Sequence, residues 1–330
     1  MGGARDNLPV PLEAVAEADT TVLEASRLVL QTHARSFSWG ALFLPPEARD
    51  DAALLYAWCR HVDDLVDEAT DRDEAAAALS ATRAMLRGDG EADPLTAAFL
   101  AMAARRVLPL RAAEELVAGM ETDLGEVRMA DDAAFLLYCY RAAGTVGLLM
   151  CGILGVEEPE AAPFAVDLGI AMQITNICRD VKEDAARGRV YLPAARLVAH
   201  GVTPEEVLAG RADPVGVSAV VRELLAVAER YYASGEAGMR YIPRRTRLAI
   251  RVAARVYRAI GVRLLRQGAN PLVGRTVVPW WAKLRETVRA VFAEAGARAT
   301  LPDHDAPLHR LLPELPGVAA GELRPPGAAP

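Results

Sequence analysis

Two segments far apart in the chain repeat one arrangement, a pair of aspartates four residues apart on an apolar helical pattern. In YAWCRHVDDLVDE these are Asp63 and Asp67, and in QITNICRDVKEDAARGRVYLP they are Asp180 and Asp184, with Asn176 four residues earlier. At 3.6 residues per turn, side chains at that interval share one helix face. Two such carboxylates repel one another unless a cation lies between them. Magnesium suits the position, because it takes oxygen ligands and is commonly shared between one or two carboxylates and substrate phosphates. A solvated helical face accounts for either segment taken alone. Two pairs on facing helices, each accompanied by an arginine (Arg60 and Arg179), describe a site that clamps a diphosphate through metal ions.

Composition favours helices around that site. Apolar residues make up 52% of the 330, aromatics only 5%, and the apolar share is mostly Ala and Leu, both strong helix formers. A chain of this length buries a large core, as one large helical domain or two smaller ones. The net charge of −7 and pI near 5.4 argue against nucleic acid as the main partner. Cys59, Cys139, Cys151 and Cys178 fall in apolar helical patterns without a CxxC pair, so they read as buried, reduced thiols. The N-terminus lacks the apolar core of a signal peptide, and the expected location is cytoplasmic.

Residues 1–18 read as a flexible leader. A first helix is expected to begin near Asp19-Thr20-Thr21, whose short polar side chains suit an N-cap. It should end in HARSFSWGALFLPPEA, where Pro45 and Pro46 stop any helix, gathering His33, Arg35 and Ser36 at a helix end. Further helices are expected at about 47–69, 95–106, 109–129, 133–156, 163–187, 204–209, 215–239 and 243–266. Asp123, near other acids in GMETDLGEVRM, reads as part of a solvated face. The glycines of the 133–156 helix cost about 1 kcal/mol each relative to Ala in a helix interior. Either close helix packing or room for a long apolar ligand has to offset that cost. Arg247, Arg251, Arg255 and Arg258 form a basic face, solvated or resting on an anionic membrane. Trp280-Trp281 either anchor to lipid or cap the core. Residues 300–330, rich in Pro and Gly, read as a disordered tail.

With both acidic segments in view, the chain resembles the squalene and phytoene synthase family, and most of all its bacterial phytoene synthase branch. The matching stretches are ARSFSWGALFLPPEAR, LYAWCRHVDDLVDE, YCYRAAGTVGLLM, QITNICRDVKEDAARGRVYLP and GRTVVP, in family order over residues 30 to 280. The resemblance implies an all-α fold of the isoprenoid-synthase type: a single-domain helical bundle at 19–299 around a central active-site cavity. It implies Mg2+ (or Mn2+) held by Asp63, Asp67, Asn176, Asp180 and Asp184, with Gln173 assisting. Arg60, Arg179, Arg275 and the segment of His33, Arg35 and Ser36 would bind and neutralise the diphosphate. Tyr56 and Tyr257 would sit near the carbocation.

The implied reaction joins two geranylgeranyl diphosphates head to head, through a cyclopropylcarbinyl diphosphate, to phytoene, the first committed step of carotenoid biosynthesis. Prenyl diphosphates are therefore the expected partners, with peripheral membrane contact for product release. No Gly-rich dinucleotide fingerprint is present, which favours proton loss over reduction, and no NADPH is expected. The alternatives are a C30 enzyme acting on farnesyl diphosphate, giving squalene or dehydrosqualene, and a non-catalytic helical assembly protein that kept the fold.

Overall fold

The computed structural model describes residues 12–33, 35–295, 301–312 and 314–318. Fourteen α-helices follow one another in these residues. They are α1 (Leu12–His33), α2 (Arg35–Ala41), α3 (Pro46–Asp67), α4 (Arg72–Arg87), α5 (Pro94–Arg106), α6 (Leu110–Thr122) and α7 (Asp132–Cys139). After these come α8 (Thr145–Leu154), α9 (Ala162–Ala186), α10 (Ala194–Ala199), α11 (Pro204–Leu208), α12 (Pro214–Gly238), α13 (Arg244–Arg266) and α14 (Trp280–Ala295). Among the described residues there is no strand, only an isolated bridge between Arg128 and Val190.

Local chemistry sets many of the boundaries. Asp93 and Asp213 cap α5 and α12, accepting from the backbone N–H groups of Leu95 and Thr96 and of Val215 and Gly216, each with Pro at the first helical position. Thr203 and Glu206 close a reciprocal capping box on α11. Gly155 ends α8 in the left-handed conformation, φ +76°. The expected start near Asp19 is not used: α1 runs through it from Leu12, inside the stretch read as leader. Likewise α6 stops at Thr122 rather than near 129, because the chain turns there and carries Asp123 inward.

The centre of the bundle is α9, which packs against α12, α8 and α13. Between α7 and α8, residues Tyr140–Gly144 form a π-helical turn, a form that is often found at functional sites. Close packing answers the question of the helical glycines. A Cβ on Gly147 would stand 2.2 Å from the Ala165 carbonyl oxygen, and one on Gly169 the same distance from that of Ala143. The crossing of α8 and the π turn with α9 therefore depends on backbone-to-backbone contact. On the far side of the core, Trp58 of α3 is fully buried and stacks on Phe99 of α5 with ring centroids 4.1 Å apart.

Two helical stretches, Asp132–Leu154 and Pro159–Ala186, have the length and hydropathy of a membrane span, yet most of each is buried inside the bundle. Cys139, Cys151 and Cys178 are buried, Cys59 is half-buried, and none is in a disulfide.

Three expectations need correction. Arg251 of the basic stripe is buried, facing Glu236 and Glu294, each at 3.6 Å, because α14 covers that side of α13. A guanidinium survives burial only with acidic partners. Residues 301–312 and 314–318, assigned from composition to a disordered tail, lie on the bundle: Tyr231 donates to the Leu308 carbonyl and Tyr140 to that of Pro316. Finally, α4 and α14 are full helices that the apolar pattern did not announce.

Candidate active site

The two acidic segments lie on α3 and α9 and face a common cavity of about 420 Å³. Its wall on α9 is made by Phe164, Ala165, Leu168, Gly169, Met172, Gln173 and Asn176, one face of the helix at intervals of one, three and four. From Phe164 to Asn176 that face runs roughly 18 Å at 1.5 Å per residue. The deep end is apolar, with Leu154, Met239 and Ile250 among its lining, and the polar end holds Tyr56, Arg60, Asp63 and Tyr257. Asp180 and Asp184 continue the Asn176 spacing along α9 beyond the lining residues.

Each carboxylate pair has its own cations. Arg60 forks across Asp63, at 2.9 Å, and Asp64. Arg179 places Nε 2.7 Å from Oδ1 of Asp180 and Nη2 on its Oδ2, while Arg275, from the loop after α13, reaches Oδ1 at 3.0 Å. Asp67, almost buried, is held by Arg187 at 2.9 Å and Arg189 at 2.5 Å. Both arginines come from the turn just after α9, where Gly188 takes φ +79°. Arg189 thereby fastens the end of the first acidic segment to the end of the second.

The remaining charge balance leaves room for a cation. Burial, with Asp67 next in weight, pushes the Asp63 carboxyl up to about 6. Burial and neighbouring Asp180 push Asp184 up to about 7, against the pull of Arg187 and Arg189. Asn176 Oδ1 is buried and accepts no hydrogen bond, although its Nδ2 donates to Gln173 at 3.4 Å. An orphaned amide oxygen beside carboxylates whose charge is poorly satisfied is a donor set of hard oxygens, which fits a divalent ion of the magnesium type. Tyr56 and Tyr257 stay protonated, since burial raises the first to about 12 and the second in the same direction.

Other candidates stand apart from this cavity or outside the description. His33 is exposed at the end of α1, and Ser36 is half-buried on α2; neither lines the cavity, whereas Phe37 of the same helix does. The side chain of Arg35 lies outside the described residues. Sequence reasoning missed Arg187 and Arg189, although RGRVYLP follows the second acidic segment directly. Asp123 corrects the solvated-face expectation. It is buried and accepts from Tyr138 at 3.0 Å and Tyr191 at 2.8 Å, and its burial raises its pKa.

Comparison with known proteins agrees with this geometry. A family model described as squalene/phytoene synthase matches residues 30–282. The phytoene synthase of Thermus thermophilus is 41% identical over 258 residues, 77% of this chain and 87% of the relative. The 15-cis-phytoene synthase of Paracoccus sp. is 38% identical over 259 residues, 75% of this chain and 83% of the relative. In fold, a dehydrosqualene synthase solved with a ligand superposes with TM-score 0.73 at 22% identity, over 87% of this chain and 100% of that one. A squalene synthase of Alicyclobacillus acidocaldarius gives 0.68 at 29% identity, over 79% of this chain and 98% of that one.

Proposed function

This chain belongs to the squalene/phytoene synthase family, and we propose that its reaction is that of a phytoene synthase, a prenyltransferase joining two geranylgeranyl diphosphates head to head. The observation that carries the reading is the cavity: an apolar channel running along α9 whose polar end holds Arg60, Asp63, Gln173 and Asn176, with Asp180, paired to Arg179 and Arg275, one turn of α9 further on. The relatives named phytoene synthase, at 36–41% identity over about three quarters of the chain, support the C20 substrate over the C15 one.

Asp63, Asp67, Asn176, Asp180 and Asp184 would hold Mg2+, which supplies charge to the leaving diphosphate. The rest of the mechanism follows from the chain's own side chains. Arg60, Arg179 and Arg275 sit among the aspartates and stabilise the diphosphate as the allylic carbon–oxygen bond breaks. His33, Arg35 and Ser36 extend that anion-binding role in this reading. Tyr56 and Tyr257 present protonated, electron-rich rings at the mouth of the apolar channel, where the allylic cation forms. The double bond of the second substrate attacks that cation, and loss of a proton closes the ring to give the cyclopropylcarbinyl diphosphate. A second ionisation opens the ring, and loss of a proton ends the sequence without a reductant. Throughout, the wall of Leu154, Ala165, Leu168 and Met172 keeps water from the cation.

The product is a hydrocarbon that has to leave for a bilayer, and α14 offers the place. Trp281, Leu284, Val288, Val291 and Phe292 are exposed along one face of it. Arg285 and Arg289, both exposed, border that face. In this reading α14 rests on an anionic membrane surface, its aromatic residues at headgroup level. Incubation of the protein with geranylgeranyl diphosphate and Mg2+, without reductant, tests the proposed chemistry: phytoene and two diphosphates per product are expected, and absence of any hydrocarbon overturns it.

A further inference from the structure

Asp167 is fully buried on α9, but it points away from the cavity, on the face opposite the lining positions 164, 165, 168, 169 and 172. Three side chains converge on its carboxylate. His304 Nε2 lies 2.8 Å from Oδ2, His309 Nε2 lies 2.7 Å from Oδ1, and Ser234 of α12 donates to Oδ2. His309 is buried and His304 nearly so, and the two rings stand with centroids 4.6 Å apart. None of these groups belongs to the condensation site described above.

The tautomer of His309 is fixed from its other side. Its Nδ1 is 2.8 Å from the carbonyl oxygen of Val318, an atom that only accepts, so Nδ1 carries the hydrogen. Neutral His309 therefore turns the lone pair of Nε2 toward a carboxylate oxygen. That contact is repulsive unless a cation lies between the two atoms. A ring nitrogen donating to a backbone carbonyl while the other nitrogen faces a carboxylate is also the outer-shell arrangement of metal-binding histidines.

We propose that Asp167, His304 and His309 form a second metal site, for a borderline divalent ion such as zinc, which fastens the C-terminal segment to the back of α9. One ligand atom from each residue lies within 4.8 Å of the other two. Small rotations of the rings bring such a set to the roughly 2.0–2.2 Å that zinc takes from nitrogen and carboxylate oxygen. A water completes four ligands, and Ser234 holds the carboxylate from behind. Two imidazoles and one carboxylate select zinc-like ions over magnesium, which prefers oxygen. The site is distinct in both place and metal from the carboxylate pairs of the cavity.

Cobalt titration of the full chain tests it. Metal is stripped with a chelator, excess Mg2+ is added to satisfy the cavity carboxylates, and Co2+ is titrated while its ligand-field absorption is recorded. The expected result is one Co2+ per chain with the intense visible bands of a tetrahedral site, and a thermal midpoint that rises with Co2+ concentration. The bands should vanish in His304→Gln and in His309→Gln but persist in Asp180→Asn. Since His309 is deeply buried, His304→Gln keeps the test decisive if the other variant fails to fold. Absence of tetrahedral bands in the unaltered chain, or bands that survive His304→Gln, overturns the proposal and leaves a proton as the cation that binds His309 to Asp167.

Discussion

Arg189 Nη1 lies 2.5 Å from Asp67 Oδ1. The contact joins the last aspartate of the first acidic segment to the turn that follows the second, so the two halves of the site are registered by one guanidinium. Arg187 reaches the other oxygen of Asp67 but is itself 63% exposed, against 14% for Arg189.

That difference in exposure predicts different costs. Arg189→Ala leaves an almost buried carboxylate short of its main partner, and a loss of about 3 kcal/mol in unfolding free energy is expected. Arg187→Ala removes a largely solvated partner, and the loss should stay under about 1 kcal/mol. Urea unfolding of both variants checks the order; equal losses would contradict the registering role of Arg189.

Asp63→Asn and Asp180→Asn should separate activity from stability. In the proposed reading each removes a carboxylate that would hold the metal ion countering the departing diphosphate, and a fall in kcat of about 10²–10³ is expected, as for loss of one preorganised electrostatic group. The metal-free thermal midpoint of Asp63→Asn should hold or rise, because the neutral amide avoids the burial cost that raises Asp63 to about 6. Steady-state kinetics beside calorimetry decides the matter, and a variant that loses both together points to a structural role.

The raised carboxyls give a pH dependence with a definite sign. Asp184 holds its proton to about 7 in the folded chain, against about 3.9 in an unfolded one. Between those values the native state binds more protons, so the contribution of Asp184 to stability falls as pH rises from about 4 to about 7. The stability difference between the metal-free parent and Asp184→Asn, followed by unfolding at several pH values, should shift against the parent across that window. Saturating Mg2+ should shrink the shift, because the ion supplies the missing countercharge. A difference that moves the other way would contradict the assignment.

The exposed face of α14 predicts lipid binding that depends on composition. Vesicles containing anionic lipid should retain the protein in flotation, and neutral vesicles should retain it less. Trp281→Ala with Phe292→Ala should weaken retention, with condensation of detergent-solubilised substrate unchanged. Equal flotation of parent and variant would remove α14 from the interface.

Much of the site was legible because its chemistry is local. Helical spacing marks Asp63, Asp67, Asn176, Asp180 and Asp184 as candidates, of which Asp63 and Asn176 line the cavity, and the lining of α9 repeats on the same period. What stayed hidden depends on partners far away in the chain. Asp123 looks solvated among its acidic neighbours until Tyr138 and Tyr191 are brought over it. Arg251 looks like one of a surface row until α14 brings Glu294 against it. Residues 301–312 and 314–318 have the composition of a tail, yet Asp167, Tyr231 and Tyr140 each hold a point along them. No local pattern encodes such contacts, since each needs two elements already placed.

The hydrocarbon that the protein makes distinguishes a C20 condensation from a C15 one. Purified protein with Mg2+ is given geranylgeranyl or farnesyl diphosphate, each with and without NADPH, and the hydrocarbon is identified by mass and absorbance. Phytoene, a C40 hydrocarbon with a conjugated triene, is expected from the C20 substrate with no need of reductant. A C30 product as the main outcome, above all one that requires NADPH, would contradict the C20 reading.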